Sequence, residues 1–253
     1  MASRRSRVLS VMMMLLWLGA CASSTSGAAS HPTASSPAPG RLTHRAAARP
    51  GPSEPETLVA TARVPTVVVF RRPREALPTR RLSNPQPSGA PLVFVVRRST
   101  PRWLDVLLPV RPNGSSGWIR RADVTLRRHD FRIVVELREH LIIVYRGAAV
   151  FDRESIGVGK AQTPTPGGVY YTKALLQPPN PNGMYGPFAY ELSGFSDVLS
   201  NFNGGHGVIG IHGTNEPWLI GHDVSHGCIR MSNAGITRLA HTLPLGVPVE
   251  IRA

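Results

Sequence analysis

Residues 204–231 read GGHGVIGIHGTNEPWLIGHDVSHGCIRM, and this stretch decides both the fold and the chemistry of the chain. From Val208 to His212 the side chains alternate with the period of a strand, which places His212 at a strand end beside glycines. Cys228 follows sixteen residues after His212 and directly after a glycine. Its thiol therefore has an open approach, and backbone N–H groups nearby can stabilise an oxyanion. A thiol near a histidine that can generate the thiolate at neutral pH is the pattern of nucleophilic catalysis.

The sequence on both sides of this stretch has the pattern of a mainly β protein. Two X-Pro steps in the Thr-Pro-Thr-Pro-Gly segment at 163–167 force an extended backbone. Residues 178–187 form a loop rich in Pro, Asn and Gly. The one helix expected in this half runs from 233 to 243. Strands are expected at 132–137, 140–145, 150–158, 169–175, 208–212 and 247–251.

The composition of the whole chain agrees with this class. The chain has 253 residues, of which 42% are apolar, and it contains 24 Gly and 24 Pro. That length suits one medium domain or two small ones. Because Gly and Pro both break helices, a helical bundle is disfavoured, and many short strands joined by turns are expected.

The charge is unevenly distributed along the chain. The net charge is +14, and residues 1–130 carry all of it, with 20 Arg against 6 acidic residues. Residues 131–253 have a net charge of zero. Nucleic acid is therefore not an expected partner in spite of the high positive charge, and the export signal described next argues against it as well.

The first residues of the chain have the pattern of an export signal. Three arginines precede an apolar run at 8–20, which is too short to span a bilayer. The run ends in Leu-Gly-Ala-Cys, which resembles the lipobox of bacterial lipoproteins. Residues 1–20 are thus a predicted lipoprotein signal peptide, and Cys21 is the predicted site of lipidation.

A tether is expected to follow the lipidated cysteine. Residues 21–56 are rich in Ala, Ser and Pro and have almost no large apolar side chains, so they predict a disordered segment. Acyl chains on Cys21 would anchor this tether in the membrane. The expected location is the outer face of the bacterial cell membrane, facing the cell wall. No disulfide is expected, because Cys21 and Cys228 belong to different motifs.

Residues 57–128 are expected to form a small β module. β-Branched runs at 66–70 and 92–96 predict strands. Trp103 and Trp118 flank an Asn-Gly turn, and this pattern resembles the closing hairpin of a bacterial SH3-like barrel. Such modules bind the cell wall or serve as spacers, and both interpretations stay open.

The two motifs that hold the histidine and the cysteine match a known family. The segment 211–214 (IHGT) followed by 225–231 (SHGCIRM) resembles the catalytic domain of the YkuD-like L,D-transpeptidases. The Thr-Pro-Thr-Pro-Gly segment and the C-terminal Gly-Val-Pro-Val segment are similar to the family's flanks, so the resemblance covers about 131–252. It implies a β-sandwich-type catalytic domain over 129–253, on an exported bacterial lipoprotein.

The resemblance implies a role for each residue of the two motifs. Cys228 would be the nucleophile and His212 its general base, oriented by the backbone carbonyl of Gly213. No metal and no cofactor is implied. The residues expected to bind substrate or to shape the oxyanion site are Ser225, His226, Gly227 and Arg230.

The implied reaction takes place on peptidoglycan stem peptides. The thiolate attacks the carbonyl that precedes a terminal D-Ala, D-Ala leaves, and a thioester remains on Cys228. An amine of a second stem peptide then attacks the thioester, which gives a 3→3 crosslink. Carbapenem-type inhibitors acylate the same cysteine in this family, so they are expected to bind here.

Three other interpretations stay open from the residues alone. Attack by water in place of an amine would make the chain an L,D-carboxypeptidase or a crosslink-cleaving cysteine peptidase. A non-catalytic, wall-binding lipoprotein would need neither the cysteine nor the histidine. A mixed zinc site is the third, because the stretch holds four histidines and one cysteine: His206, His212, His222, His226 and Cys228.

Overall fold

The structure is a computed structural model that describes residues 56–201 and 206–253. All of these residues belong to one compact unit. The predicted signal peptide, Cys21 and the predicted tether up to residue 55 lie outside the described residues. The predicted mainly β class is confirmed, because seventeen strands, one α-helix and two short 3-10 turns make up the regular structure of this part of the chain. No helix within it is long and apolar enough to cross a membrane.

The first seven strands form a small β module. They are β1 (Thr57–Ala62), β2 (Thr66–Val69), β3 (Arg80–Ser83), β4 (Val93–Ser99), β5 (Trp103–Leu107), β6 (Ser116–Arg120) and β7 (Val124–His129). Five of them make an antiparallel sheet in the order β6-β5-β4-β1-β7, and β2 and β3 pair as a separate hairpin. The predicted hairpin between the two tryptophans is β5 paired with β6. The likeness of the module to an SH3-like barrel stays a prediction.

The next ten strands and the helix form the C-terminal part. They are β8 (Phe131–Glu136), β9 (Leu141–Arg146), β10 (Ala149–Ser155), β11 (Val158–Gly159), β12 (Gly168–Leu176), β13 (Ala189–Phe195), β14 (Val208–His212), β15 (Asp223–Ser225), β16 (Ile229–Arg230), α1 (Asn233–Thr242) and β17 (Pro248–Arg252). Eight of these strands make one sheet in the order β10-β9-β8-β17-β12-β13-β14-β16. Strands β11 and β15 pair in parallel as a separate two-stranded sheet.

The eight-stranded sheet curls until its two edge strands meet. Gly157 lies two residues after the end of the edge strand β10. It exchanges two backbone hydrogen bonds of 2.8 Å with Arg230 in the opposite edge strand, β16. Both halves of the curled sheet therefore face a single core. Ile133 from one half and Ile211 from the other are fully buried in it. This arrangement of two facing layers is what a β-sandwich-type domain requires.

Helix α1 covers the core beside β13 and β14. It begins after Ser232, whose side chain accepts a hydrogen bond from the Gly235 N–H and so caps the helix. At the other end, the Tyr190 hydroxyl donates to the carbonyls of Leu239 and Leu243, at 3.1 and 3.2 Å. The helix is thus fixed at both ends, which matters because its first residue contacts the site described below.

The two sheets are joined by buried contacts. Tyr171 in β12 is fully buried, and its ring packs against Val59 and Val93 of the module. Its hydroxyl donates to the carbonyl of Val93 at 3.0 Å and lies 3.4 Å from the carbonyl of Leu107. One side chain of the C-terminal sheet therefore donates to the backbone of one module strand and lies beside that of a second.

Most predicted strands match observed ones, whereas β1, β3, β15 and β16 were not predicted. Two further differences are informative. The expected strand at 150–158 is divided, since the chain leaves β10 at Ser155 so that Gly157 can reach Arg230. Strand β13 was not predicted, although it lies between β12 and β14. The predicted helix at 233–243 is confirmed within one residue at its end.

The junction between the sheets gives a test of stability. Tyr171→Phe keeps the buried ring and removes the hydroxyl, which leaves the Val93 carbonyl without its donor. We expect the free energy of unfolding to fall by about 1–2 kcal/mol, measured by urea denaturation. Tyr145→Phe is the matched control, because it makes the same change in a residue outside the junction. The ring of Tyr145, which packs under Arg132, is likewise retained. Equal losses in the two variants would contradict the assigned role of the Tyr171 hydroxyl.

Candidate active site

Cys228 and His212 lie near each other because β14 and β16 pair in parallel. The register places Ile211 opposite Ile229, and both side chains point into the core. Because side chains alternate along a strand, the neighbours of these isoleucines, Cys228 and His212 among them, face the other side. The predicted nucleophile and the predicted base therefore share one face, and both line the same two cavities.

A tight turn holds Cys228 in place. The hydroxyl of Ser225 donates to the Cys228 carbonyl at 2.6 Å and accepts from the Gly227 N–H at 3.0 Å. Gly227 has a φ of +112°, in the left-handed region that favours glycine. The Ser225 carbonyl in turn accepts from the Thr163 hydroxyl and from the Lys160 N–H. Ser225 is thus a buried residue that shapes the turn around the thiol.

His212 is held in one orientation. Its Nδ1 lies 2.6 Å from the carbonyl oxygen of Gly213, which is the interaction that the family resemblance implies. Since a carbonyl only accepts, Nδ1 carries the proton, and Nε2 keeps a lone pair for a proton. The ring of Tyr185 packs edge-on against the imidazole, with 5.0 Å between the ring centroids.

The first residue of α1 fixes the turn after His212. The side-chain oxygen of Asn233 accepts a hydrogen bond of 2.8 Å from the Thr214 N–H. A Cβ at Gly213 would collide with this oxygen, and so would a Cβ at Gly186. Glycine at 213 is therefore required by the packing of this turn against the helix.

Burial favours the neutral forms of both reactive groups. It lowers the pKa of His212 to about 4, although the hydrogen bond to Gly213 raises it. Burial also raises the pKa of the Cys228 thiol above its ordinary value, while a hydrogen bond with the Gly210 backbone lowers it. The thiolate that the sequence predicts at neutral pH is therefore not the resting form. A neutral thiol beside a neutral imidazole means that the proton moves during attack.

Arg230 brings a positive charge to both groups. Its guanidinium donates to the carboxylate of Glu216 at 2.8 Å. Its Nε is buried and has no hydrogen-bond partner among the described residues. The charge lowers the pKa of His212 and that of Cys228. Arg230 thus favours the thiolate and opposes a charged histidine.

Two cavities open onto the reactive pair. The smaller has a volume of about 100 Å³ and is bordered by Ser196, His226 and Arg230. The larger has a volume of about 810 Å³. Cys228 and His212 line both cavities, so a molecule in either one can reach the thiol.

The predicted site residues are brought together, apart from Cys21, which lies outside the described residues. Six of them border the smaller cavity: His212, Ser225, His226, Gly227, Cys228 and Arg230. The carbonyl of Gly213 contacts Nδ1 of His212. The Gly227 N–H already donates to Ser225. The Gly227 N–H is therefore not free to donate to an oxyanion.

The alternative zinc set is not assembled as a ligand sphere. Within residues 56–201 and 206–253, no group of three or more His, Cys, Asp or Glu side chains is arranged to hold a metal ion. The Cys228 thiol is free of any disulfide in the described part of the chain.

Comparison with known proteins identifies the family of this site. The profile of the L,D-transpeptidase catalytic domain, YkuD, matches residues 130–251. The YqjB protein of Bacillus subtilis, which is named as an L,D-transpeptidase, is 31% identical over 129 residues. The match covers 47% of this chain and 69% of that protein. The chain belongs to the L,D-transpeptidase family. The YkuD protein of Bacillus licheniformis is 39% identical over 121 residues, covering 48% of this chain and 65% of that protein.

The family likeness concerns the C-terminal part of the chain. The small β module lies outside the residues that the L,D-transpeptidase profile matches, and the chain spans 65% of the length of the Bacillus licheniformis relative. Among solved structures, an L,D-transpeptidase from Mycobacterium smegmatis matches with a TM-score of 0.41 and 15% identity. That match covers 64% of this chain and 90% of the other.

Three residues of the site were not predicted from the sequence. Tyr185 lies in a loop rich in Pro, Asn and Gly, where a lone aromatic side chain is a usable signal for a site contact. Glu216 lies two residues after the histidine motif at 211–214. Its pairing with Arg230 could be recognised only from the folded structure. Asn233 was predicted only as a helix start, and its contact with Thr214 depends on where the helix lies.

The buried imidazole gives a prediction for stability against pH. An unfolded histidine has a pKa near 6.5, whereas burial lowers that of His212 to about 4. Between these values the unfolded chain binds a proton that the folded protein does not. The contribution of His212 to stability is therefore present above pH 6.5 and is lost as the pH falls to 4, by about 3 kcal/mol.

Urea denaturation from pH 7 to pH 4 measures this loss. His212→Gln should lose about 3 kcal/mol less than the wild-type protein over that range. His222→Gln is the control, because His222 is exposed in the loop before β15, and it should keep the wild-type pH dependence. Parallel curves for wild type and His212→Gln would show that the imidazole is not buried in its neutral form.

Proposed function

We propose that the protein is a peptidoglycan L,D-transpeptidase that forms 3→3 crosslinks through a thioester on Cys228, with release of D-Ala. One observation carries the proposal. A free thiol at Cys228 shares a sheet face with His212, whose Nε2 is left basic by the hydrogen bond at Nδ1. This pair lies in the part of the chain that belongs to the L,D-transpeptidase family.

The first step is attack on the stem peptide. The Cys228 thiol gives its proton to Nε2 of His212 as Sγ forms a bond to the carbonyl carbon before the terminal D-Ala. The carbonyl oxygen becomes an oxyanion, and we assign the Cys228 N–H to it as a donor. The charge of Arg230 assists, because it stabilises negative charge developing at this end of the sheet.

The tetrahedral intermediate then loses D-Ala. Its C–N bond breaks, and the leaving nitrogen takes the proton from Nε2 of His212, which returns the imidazole to its neutral form. The stem peptide is left as a thioester on Cys228. The depressed pKa of His212 suits this step, because a protonated imidazole that is weakly basic gives its proton away readily.

Transfer to an amine completes the cycle. The side-chain amine of a second stem peptide attacks the thioester carbonyl and gives one proton to Nε2 of His212. The C–S bond breaks, an amide bond remains as the crosslink, and the departing thiolate takes the proton back. The larger cavity supports this step, since it leaves about 810 Å³ beside Cys228 for a peptide.

Arg230 and His226 are the proposed contacts for the polar groups of the substrate. Both border the smaller cavity. The guanidinium of Arg230 brings a positive charge to this cavity, which suits a carboxylate of the substrate. Ser225 is buried behind the turn, so its proposed role is to position the thiol.

Acylation by a carbapenem tests the nucleophile. Mixed with meropenem, the folded wild-type protein should gain one adduct per chain by intact mass, and Cys228→Ala should gain none. His212→Gln should slow the acylation by about 10²–10⁴-fold, because it removes the base, and His222→Gln should keep the wild-type rate. An adduct on Cys228→Ala, or none on the wild-type protein, would count against the proposal.

Incubation with a disaccharide tetrapeptide separates the possible products. Mass spectrometry should find a crosslinked dimer together with free D-Ala. A tripeptide product alone would show an L,D-carboxypeptidase, and cleavage of preformed dimers would show a crosslink-cleaving peptidase. No reaction in a protein that binds cell walls would support the non-catalytic lipoprotein.

We also propose that residues 1–20 direct export and that Cys21 is lipidated, which places the enzyme at the outer face of the membrane. The apolar run and the Leu-Gly-Ala-Cys segment support this. In a bacterial host fed labelled palmitate, the wild-type protein should carry the label and sediment with membranes. Cys21→Ser should lose both properties, while the control Cys228→Ala should keep them. Labelled Cys21→Ser protein would contradict the proposal.

A further inference from the structure

The larger cavity beside Cys228 is bounded by both parts of the structure. Its floor reaches His212 and Cys228, and the ends of β12 and β13 form one side. On the other side lies the turn Ser88–Gly89–Ala90, which belongs to the small β module before β4. The cavity that opens onto the reactive thiol therefore has a wall that the matched L,D-transpeptidase domain does not supply.

This wall is held firmly by the buried side chain of Gln86. The backbone N–H of Gln86 donates to the Ala90 carbonyl, and the Gly89 N–H donates back to the Gln86 carbonyl, both at 2.8 Å. The side-chain amide of Gln86 donates to the carbonyls of Pro91 at 2.9 Å and Lys173 at 3.1 Å. Since Lys173 lies in β12, one side chain fixes the turn against a strand that also lines the cavity.

A second loop of the module fixes the border of the smaller cavity. Asn113 pairs with the backbone of Phe195 in both directions, at 2.8 and 2.9 Å. The guanidinium of Arg111 donates to the carbonyls of Ser196 and Leu199, at 2.9 and 3.0 Å, and stacks on the Phe195 ring at 4.9 Å. Ser196 and Leu199 border the smaller cavity, so the module shapes both sides of the thiol.

The size of the larger cavity indicates its occupant. A volume of about 810 Å³ lies in the range of about 300–1,000 Å³ that holds a compact ligand or a short peptide. It is continuous with Cys228, and the smaller cavity, at about 100 Å³, holds only a few atoms. A peptide of several residues that reacts at Cys228 therefore has to lie along the larger cavity, beside Ser88.

We propose that the small β module is part of the substrate site, and that its Ser88–Ala90 turn contacts the stem peptide bound in the larger cavity. The proposal deepens the transpeptidase function above and rests on it for the identity of the peptide. It assigns the module a role in recognition at the thiol, in place of a remote wall-binding unit or a spacer.

Peptide binding to a protein that cannot turn over tests this role. In the Cys228→Ala background, isothermal titration calorimetry measures the Kd of the free tetrapeptide L-alanyl-γ-D-glutamyl-meso-diaminopimelyl-D-alanine. Ser88→Trp places a large ring at the wall, and it should raise the Kd at least tenfold. Because Ser88 is exposed, the ring enters no core. Ala90→Leu narrows the same wall as a second variant, and it should raise the Kd in the same direction.

The matched control is Ser83→Trp, the same change at an exposed serine of the module that borders neither cavity. It should leave the Kd within twofold. An unchanged Kd in both wall variants, or no binding in the Cys228→Ala background, overturns the inference. The meropenem adduct on the wild-type protein is independent of these results. If the wild-type protein forms the meropenem adduct and the wall variants bind the peptide with an unchanged Kd, only this inference is wrong. If the adduct is missing and the Kd changes as predicted, only the transpeptidase chemistry is wrong.

Discussion

The parallel pairing of β14 with β16 is the constraint on which the site depends. It involves two residue pairs, and its position is fixed from three sides. Gly157 bridges to Arg230 from the opposite edge of the sheet, Ser225 closes the turn below the thiol, and Asn233 pins the turn after His212. Because these three contacts hold β14 and β16 in one register, a pairing of only two residue pairs can fix His212 and Cys228 beside each other.

A neutral resting pair has a chemical advantage for a reactive cysteine. Oxidants react with thiolates much faster than with thiols. Burial favours the protonated Cys228 thiol, and in the proposed mechanism His212 takes the proton only as a bond to carbon forms. In that mechanism, reactivity is limited to molecules that fit the cavities, and the positive charge of Arg230 stabilises the anion that forms.

Local sequence patterns predicted what local interactions determine. Alternating and β-branched runs located most strands, and the two motifs located the thiol and its base. Strand β13 was missed because its Ala, Glu and Gly residues have low strand propensity. Gly194 is needed there, since a Cβ would collide with the Tyr170 ring. The contacts of Asn233 and Arg111 were not predicted, because they join segments far apart in the chain. No local sequence pattern indicates such contacts.

The position of β17 has a consequence for how the protein is made. This strand, near the end of the sequence, lies in the middle of the sheet between β8 and β12, with Val249 paired to Ile133. The two halves of the sheet therefore cannot join until residue 252 has been synthesised and released. Until β17 is available, β8 and β12 have no strand between them, and the C-terminal part of the chain cannot complete its core. A chain stopped a few residues early would lose the centre of its sheet and not an edge.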